Sequence, residues 1–559
     1  MPLKSTSNDP VVCTGVITNI DTDEAYYDVQ FTTHDGRKSR AVPGQIFVSP
    51  SLFMKELSKH GYNGDLDFIV ALAQNGNQCN LPATKITERG GWVDNCLVTR
   101  FGVFGPDKSK RRLNFKADHP HYKPSQKQGT IDDFIDNYEE LMVASPEICL
   151  SYLAALAAPL GAQLERSSFS ICFSSESTTG KTSVIAFAQS LYTFAYNDDD
   201  LVNFGDTLGV LLDDLDVFGG TVTGFADVKN SREKRGDWAD KLQTLTFSAS
   251  SGHRRRRLSS VPVPRTSGPN RKVFNIFMLA TERPLSELYR QGGTRREGGD
   301  MTRLIEIPVA RRTEGGIFCN ISDAAERDRL AIRFDELRRT QHGTIIPDWV
   351  AYLSSTELTE PKRLADEIKA SEDAFMDQLN EPDPLFRRIG KHIALLAAVI
   401  PIAERAQLLP VESQIFREAL HEIFRRIVKS QKVLELEQLR YNHERIREIL
   451  EKGFYPVLQA GEAPAEPQKA AICFKRKPKG TTHIHFHAES FISSFDDASR
   501  HLAVKFVKWL KDNVQLQPGS GETNTRPVQQ EGLGRRRYLI FTYNDAKSAE
   551  RALRELLEG

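Results

Sequence analysis

Residues 175–183 read SESTTGKTS. A run of the form G-x-x-x-x-G-K-[ST] wraps phosphates. Backbone N–H groups at a helix N-terminus face the anion, the lysine adds a point charge, and the hydroxyl ligates Mg2+. The frame here is Ser175, Glu176, Ser177, Thr178, Thr179, Gly180, Lys181, Thr182 and Ser183. The second glycine, the lysine and the hydroxyl are intact, and Ser175 stands where the first glycine usually does. A lone GKT also occurs in ordinary strand-turn-helix connections. The context favours a phosphate loop: the apolar run FSICFSS before it predicts a strand. After it, Val184, Ile185, Phe187, Ala188, Leu191 and Phe194 fall on one helical face. A serine at positive φ costs about 1 kcal/mol, so the loop is either slightly strained or Ser175 takes another conformation.

A working ATPase also needs an acid at the end of a second apolar strand, to hold Mg2+ through water, and often a neighbouring Glu to activate the attacking water. Two segments offer one. LLDDLD carries Asp213, Asp214 and Asp216, but TLGVLLDDLDVF reads better as an amphipathic helix whose acids form a solvated side. TVTGFADVKN is an extended apolar run ending at Asp227, and we take Asp227, with Thr182, for the metal side. Val228 stands where the water-activating Glu is expected, which counts against hydrolysis. VFNIFMLATERP supplies a third strand ending at Thr281 and Glu282. Thr281 is a polar strand tip suited to sensing a γ-phosphate, and Glu282 is an acid that could replace the missing one. Arg303, in GGDMTRLIEIP, could reach a neighbouring subunit's nucleotide, or be an ordinary surface arginine.

These residues need a scaffold, and the chain is long enough for three or four domains, at 559 residues. The 40% hydrophobic and 26% charged content is a soluble globular balance, and the net charge of zero leaves no global field toward DNA or membrane. Nucleic-acid contact must therefore come from local basic patches. Seven dispersed cysteines without a CxxC pair argue for reduced thiols and a cytoplasmic setting. The N-terminus lacks an apolar signal core. IALLAAVI, bounded by Pro401 and charges, is too short to span a bilayer and reads as a buried helix.

The pattern divides the chain into four. Residues 1–125 alternate apolar and polar with a hairpin signal at Asp35-Gly36, followed by helical SLFMKELSKHGYN, and read as a small α+β domain. Residues 126–345 alternate strands and helices, an α/β pattern with a largely parallel sheet. Residues 346–455 are helical by period. Residues 456–559 run from basic strand to helix to strand, in the order of a winged helix.

Together, GGW (Gly90 to Trp92), STTGKTS, ATERPLS, MTRLIEIPV, GGIF and RRIGKHIALLAAVIPIAERAQLLP resemble the family called domain of unknown function 927. It includes the replicative helicases of staphylococcal cassette chromosome elements. The resemblance covers about residues 10–410, and the terminal RRRYLIF is similar to that family's winged-helix tail. It implies an AAA+ type P-loop ATPase core, ATP with Mg2+, a homo-oligomeric ring (a hexamer is one such form), and DNA work on mobile elements, on single-stranded or forked DNA. By position it implies phosphate contact by Thr178 to Ser183, the metal-side acid at Asp227, the sensor at Thr281 and the interface arginine at Arg303. Ser175 and Val228-Lys229 depart from the family pattern, which bears on hydrolysis more than on binding.

Two basic runs suit sequence-independent phosphate contact: Arg254, Arg255, Arg256 and Arg257 in HRRRR, and Lys475, Arg476 and Lys477 in FKRKPKG. Each could equally be a solvated loop or, in the tail, a protein-docking face. His483, His485 and His487 in THIHFH share a strand face at about 7 Å per step, too far apart for one cation to take all three. His119 and His121, in DHPHY, make no better site. Two functions compete: an ATP-driven ring helicase or translocase, and a nucleotide-gated DNA-binding, loader or scaffold protein with little turnover. A small-molecule kinase leaves the basic tail and the helical region without a role.

Overall fold

The computed structural model describes residues 11–64 except 22 and 48, 81–106 except 88, 111–113, 123–226, 237–252, 272–291, 296 and 298–431. Beyond these it describes 457–458, 473–476, 483–493, 504, 507–508, 511, 526–530 and 534–542. They fall into two compact units, one within 1–288 and 296–427, the other within 289–295 and 428–559.

The first unit opens on β1 (Val11–Asn19), β2 (Glu24–Thr33) and β3 (Gly36–Pro43), an antiparallel meander. Thr33 pairs with Gly36 across the two-residue turn His34-Asp35, so the hairpin is present but turns one residue before the Asp35-Gly36 dipeptide that signalled it, and Gly36 opens β3 at φ 115°. Helix α1 (Pro50–Ser58) seals one face with Phe53 and Leu57, packed with Val29 and Phe31. Then come β4 (Ala83–Thr87), a three-stranded sheet of β5 (Gly91–Val93), β6 (Cys96–Thr99) and β7 (Gly102–Phe104), and β8 (Arg111–Leu113) beside β4.

The β5–β7 sheet is seated on the segment that follows. A Cβ on Gly219 would lie 2.3 Å from the Gly90 carbonyl oxygen, so the two backbones meet only because both residues are glycine. Gly90 N–H donates to the Asp216 carbonyl at 2.7 Å, and Trp92 Nε1 to the Pro159 carbonyl at 2.8 Å. The buried Arg100 guanidinium donates to Gln189 Oε1 at 2.8 Å. Desolvation lowers its pKa to about 9, opposed by Asp214.

Helices α2 (Ile131–Ala144) and α3 (Pro146–Gln163) break where Ser145 caps and Pro146 cannot donate. Then follow β9 (Phe169–Ser174), α4 (Lys181–Ser190), α5 (Leu208–Asp214), β10 (Val222–Gly224), α6 (Asp237–Ser251), β11 (Ile276–Thr281), α7 (Gly298–Arg303), β12 (Leu304–Pro308), α8 (Ala324–Thr340) and α9 (Pro384–Arg405). The sheet order is β10-β11-β9-β12, and every pairing is parallel. All six residues of β9 are buried, which is why it reads as an unbroken apolar run. This is a mixed α/β fold around a parallel sheet.

Three expectations need correction. The helix after the loop stops at Ser190, so Leu191 and Phe194 lie beyond it, and Val184 to Ser190 are buried on every side rather than on one face. α5 is helical as expected, but Asp214 is buried rather than solvated. Pro401 lies inside α9 rather than ending it, while Ile393 to Ile400 are buried as expected. Among the described residues no helix is long and apolar enough to cross a membrane.

The second unit holds a sheet of order β13 (Val457–Leu458), β14 (Cys473–Arg476), β15 (His483–Phe486), β17 (Gly534–Thr542), β16 (Arg526–Gln530). His487 is not left over for a metal: its Nδ1 accepts Ser490 N–H at 3.1 Å and so caps the short helix Ala488–Ser493.

Pro159 sits inside α3 and withholds the N–H that the Ala155 carbonyl would accept. The Tyr192 hydroxyl donates to that carbonyl instead, at 2.8 Å, and both residues are fully buried. Tyr192→Phe strands the carbonyl and should cost about 2 kcal/mol, read as a lower urea midpoint for the first unit's transition.

Candidate functional site

Parallel pairing brings three strand ends together. Thr281 on β11 and Pro308 on β12 both stand level with Ser174, the last residue of β9. The loop 175–180 leaves the sheet at that point and enters α4 through Gly180, at φ 88°.

Ser175 fastens the loop on both sides. Its N–H donates to the Thr281 carbonyl at 3.1 Å, and its hydroxyl to the Ala310 carbonyl at 3.2 Å. It is not in the left-handed region; that conformation falls to Thr178, at φ 63°. The departure from glycine therefore carries no strain of its own and adds a bond that glycine lacks. The Glu176 carboxylate accepts Arg312 N–H at 2.7 Å, and Ser177 donates to the Glu282 carboxylate. Lys181, only 7% exposed, donates to the carbonyls of Ser175 at 3.0 Å and Glu176 at 2.6 Å and to Thr179 Oγ1 at 3.2 Å. These are neutral oxygens curled round a cation. Thr182 follows on the first turn of α4, half-buried.

The other predicted residues divide. The Thr281 hydroxyl turns into its own turn, donating to the Arg283 carbonyl at 2.9 Å, and Glu282 faces the loop. Arg303 ends α7, at the start of β12 and thus at the end of the sheet away from the loop. It donates to Ser250 Oγ at 2.9 Å and the Gly299 carbonyl at 2.7 Å, and stacks over Phe247. Asp227, Val228 and Arg254 to Arg257 lie outside the described residues, as do His119, His121 and Lys477. Lys475 and Arg476 lie on β14, level through β15 with Phe541 and Thr542. Among the described residues, Arg535 to Arg537 pair with β16, about 13 Å or more along β17.

The sequence reading missed the wall beside the loop. Thr178, Thr179, Gly180 and Ser183 border a cavity of about 300 Å³ closed by Gly315 to Phe318 and by α8. Ile317 N–H donates to the Thr179 carbonyl at 3.1 Å. A Cβ on Gly316 would stand 2.6 Å from that carbonyl oxygen, so GGIF can lie flat on the loop. Arg338 of α8, buried among Tyr196 and Phe334, donates to Asp335 at 2.7 Å; desolvation lowers its pKa, opposed mainly by Asp335. The doublet Gly315-Gly316 is the one sequence signal that could have pointed here.

A triphosphate fits this arrangement. The loop ends in a helix N-terminus, a buried lysine lies along it with carbonyls and a hydroxyl among its partners, and a cavity opens alongside. For Mg2+ the structure offers Thr182. The described residues hold no cluster of three or more His, Cys, Asp or Glu able to bind a metal. A nucleotide-borne Mg2+ does not need one, because phosphates and waters supply most of its ligands.

Fold and site together define a mixed α/β protein with a Gly-Lys-Thr loop following an inner strand of a parallel sheet. Residues 1–197 match the model of the family described as a domain of unknown function, DUF927. The resemblance read from GGW and STTGKTS is borne out over that stretch. The fold is similar to the solved structure "SCCmec type IV Cch - active helicase", with a TM-score of 0.57 at 14% identity, covering 97% of this chain and 95% of that one. No curated protein matches the chain.

Two substitutions test the loop's supports. Ser175→Gly restores the usual residue but removes the bond to Ala310, and should lower the first unit's stability by about 1 kcal/mol in urea unfolding. Gly316→Ala drives a methyl into the Thr179 carbonyl, and should cost about 2 kcal/mol or more in the same measurement.

Proposed function

We propose that the chain is an ATP-dependent DNA helicase or translocase of a mobile genetic element, built on an AAA+ type P-loop core. The observation that carries this reading is Lys181. It lies at the N-terminus of α4, after a loop that leaves the carboxyl end of the inner strand β9, where ligands of open α/β sheets bind. The strand order supports the core type. β11 separates β9 from β10, and Val202 bridges to Phe225 in parallel just past β10, the flank of a further strand. The likeness to a helicase structure supports the same class.

Binding draws on this chain's own groups. Lys181 leaves the carbonyls of Ser175 and Glu176 for the outer phosphates, and the N–H groups of Thr178 to Ser183 face them. Thr182, with Asp227, holds the Mg2+ that arrives with the nucleotide and offsets charge on the phosphates. The cavity along GGIF and α8 takes the nucleoside. Arg303, at the far end of its own sheet, serves a neighbouring subunit's nucleotide in a homo-oligomeric ring. Arg254 to Arg257, together with Lys475, Arg476 and Lys477, contact the DNA backbone, the latter set from a winged-helix tail in the cytoplasm.

The second reading, a nucleotide-gated loader or scaffold with little turnover, draws on Val228. Steady-state ATP hydrolysis with and without single-stranded DNA separates the two. A motor shows turnover raised by DNA and abolished in Lys181→Ala. ATP binding with no DNA-stimulated turnover leaves the switch.

A further inference from the structure

We propose that Glu282 is the base that takes a proton from the attacking water during ATP hydrolysis, a step that rests on reading the loop as a triphosphate site. β11 lies between β9 and β10, so its tip occupies the ground between the loop and the carboxyl end of β10. The Thr281 carbonyl accepts Ser175 N–H at 3.1 Å, which fixes the tip level with the first residue of the loop. Glu282 comes next, and its carboxylate accepts the Ser177 hydroxyl, on the third residue of the loop. The Thr281 hydroxyl is engaged with Arg283, and the Glu176 carboxylate with Arg312 N–H. Glu282 is thus the acid that the strand tip presents to the phosphates, and it answers for Val228.

Charge determines how it acts. Two unit negative charges about 4 Å apart repel by about 4 kcal/mol at an effective dielectric of about 20. The carboxylate therefore does not sit against the γ-phosphate oxygens; a water between them bonds to both. That water's oxygen forms a bond to the γ-phosphorus. The bond from that phosphorus to the β–γ bridging oxygen breaks, and ADP leaves with its electron pair. The water's proton passes to the Glu282 carboxylate and from there to solvent.

Glu282→Gln keeps an acceptor for Ser177 and removes the base, so it separates a chemical role from a structural one. With Mg-ATP and single-stranded DNA, kcat should fall about 100-fold or more. Affinity for fluorescent ATP should stay within about threefold, and thermal stability should be unchanged. The wild-type rate should fall at low pH as the carboxylate is protonated, and that limb should vanish in Glu282→Gln. Glu282→Asp should keep the limb at reduced rate. A Gln variant turning over at near wild-type rate overturns the proposal. So does a wild-type protein that binds ATP but never hydrolyses it, while the reading of the loop survives. If the wild type binds no ATP, that reading falls and Glu282 falls with it.

Discussion

The structure of the candidate site depends on the register of β9 between β11 and β12. Ser174, Thr281 and Pro308 stand level because all three strands run the same way. Parallel strands need long crossovers, and here those crossovers carry the helices that bury both faces. A one-residue slip of β9 would turn its six buried side chains over and carry the loop off the helix N-terminus. Ser175 secures that register on both sides, through its N–H to β11 and its hydroxyl to the segment after β12.

The loop is organised by its own lysine. Lys181 is nearly buried, and burying a cation is costly unless its donors are met. Two carbonyls and a hydroxyl are among the partners that meet them here. Such neutral partners are weaker than phosphate oxygens, since charge-assisted bonds are roughly twice as strong. On the proposed reading, exchanging these carbonyls for phosphate oxygens favours occupancy. GGIF reinforces this from the outside, with Ile317 N–H on the Thr179 carbonyl and Gly316 flat against it.

Much of this was legible in the sequence, and the limits have physical causes. FSICFSS and VFNIFMLA announced themselves because a strand buried on both faces must be apolar throughout. The first hairpin did so through Gly36, whose positive φ is open to glycine, although the turn itself falls one residue earlier, at His34-Asp35. The length of α4 was misread because a helix buried all round has no polar face to mark its limits. Asp214 was placed in solvent because a lone sequence does not show the buried Arg100, which comes from more than a hundred residues away. The strain expected at Ser175 falls on Thr178, since a motif fixes residue types and not dihedral angles. The wall from Gly315 to α8 stayed hidden because its residues meet the loop only in space. Glu282 was visible as an acid at a strand end; its contact with Ser177 was not.

The central claim is that Ser175 to Ser183 form a working triphosphate site, and calorimetric titration of Mg-ATP into the full chain tests it most directly. The account predicts one saturable site per chain, with affinity lowered about 100-fold in Lys181→Ala through loss of a charge-assisted contact worth about 3 kcal/mol. Equal affinity in wild type and Lys181→Ala would contradict it, and so would the absence of any binding heat in a folded wild-type protein.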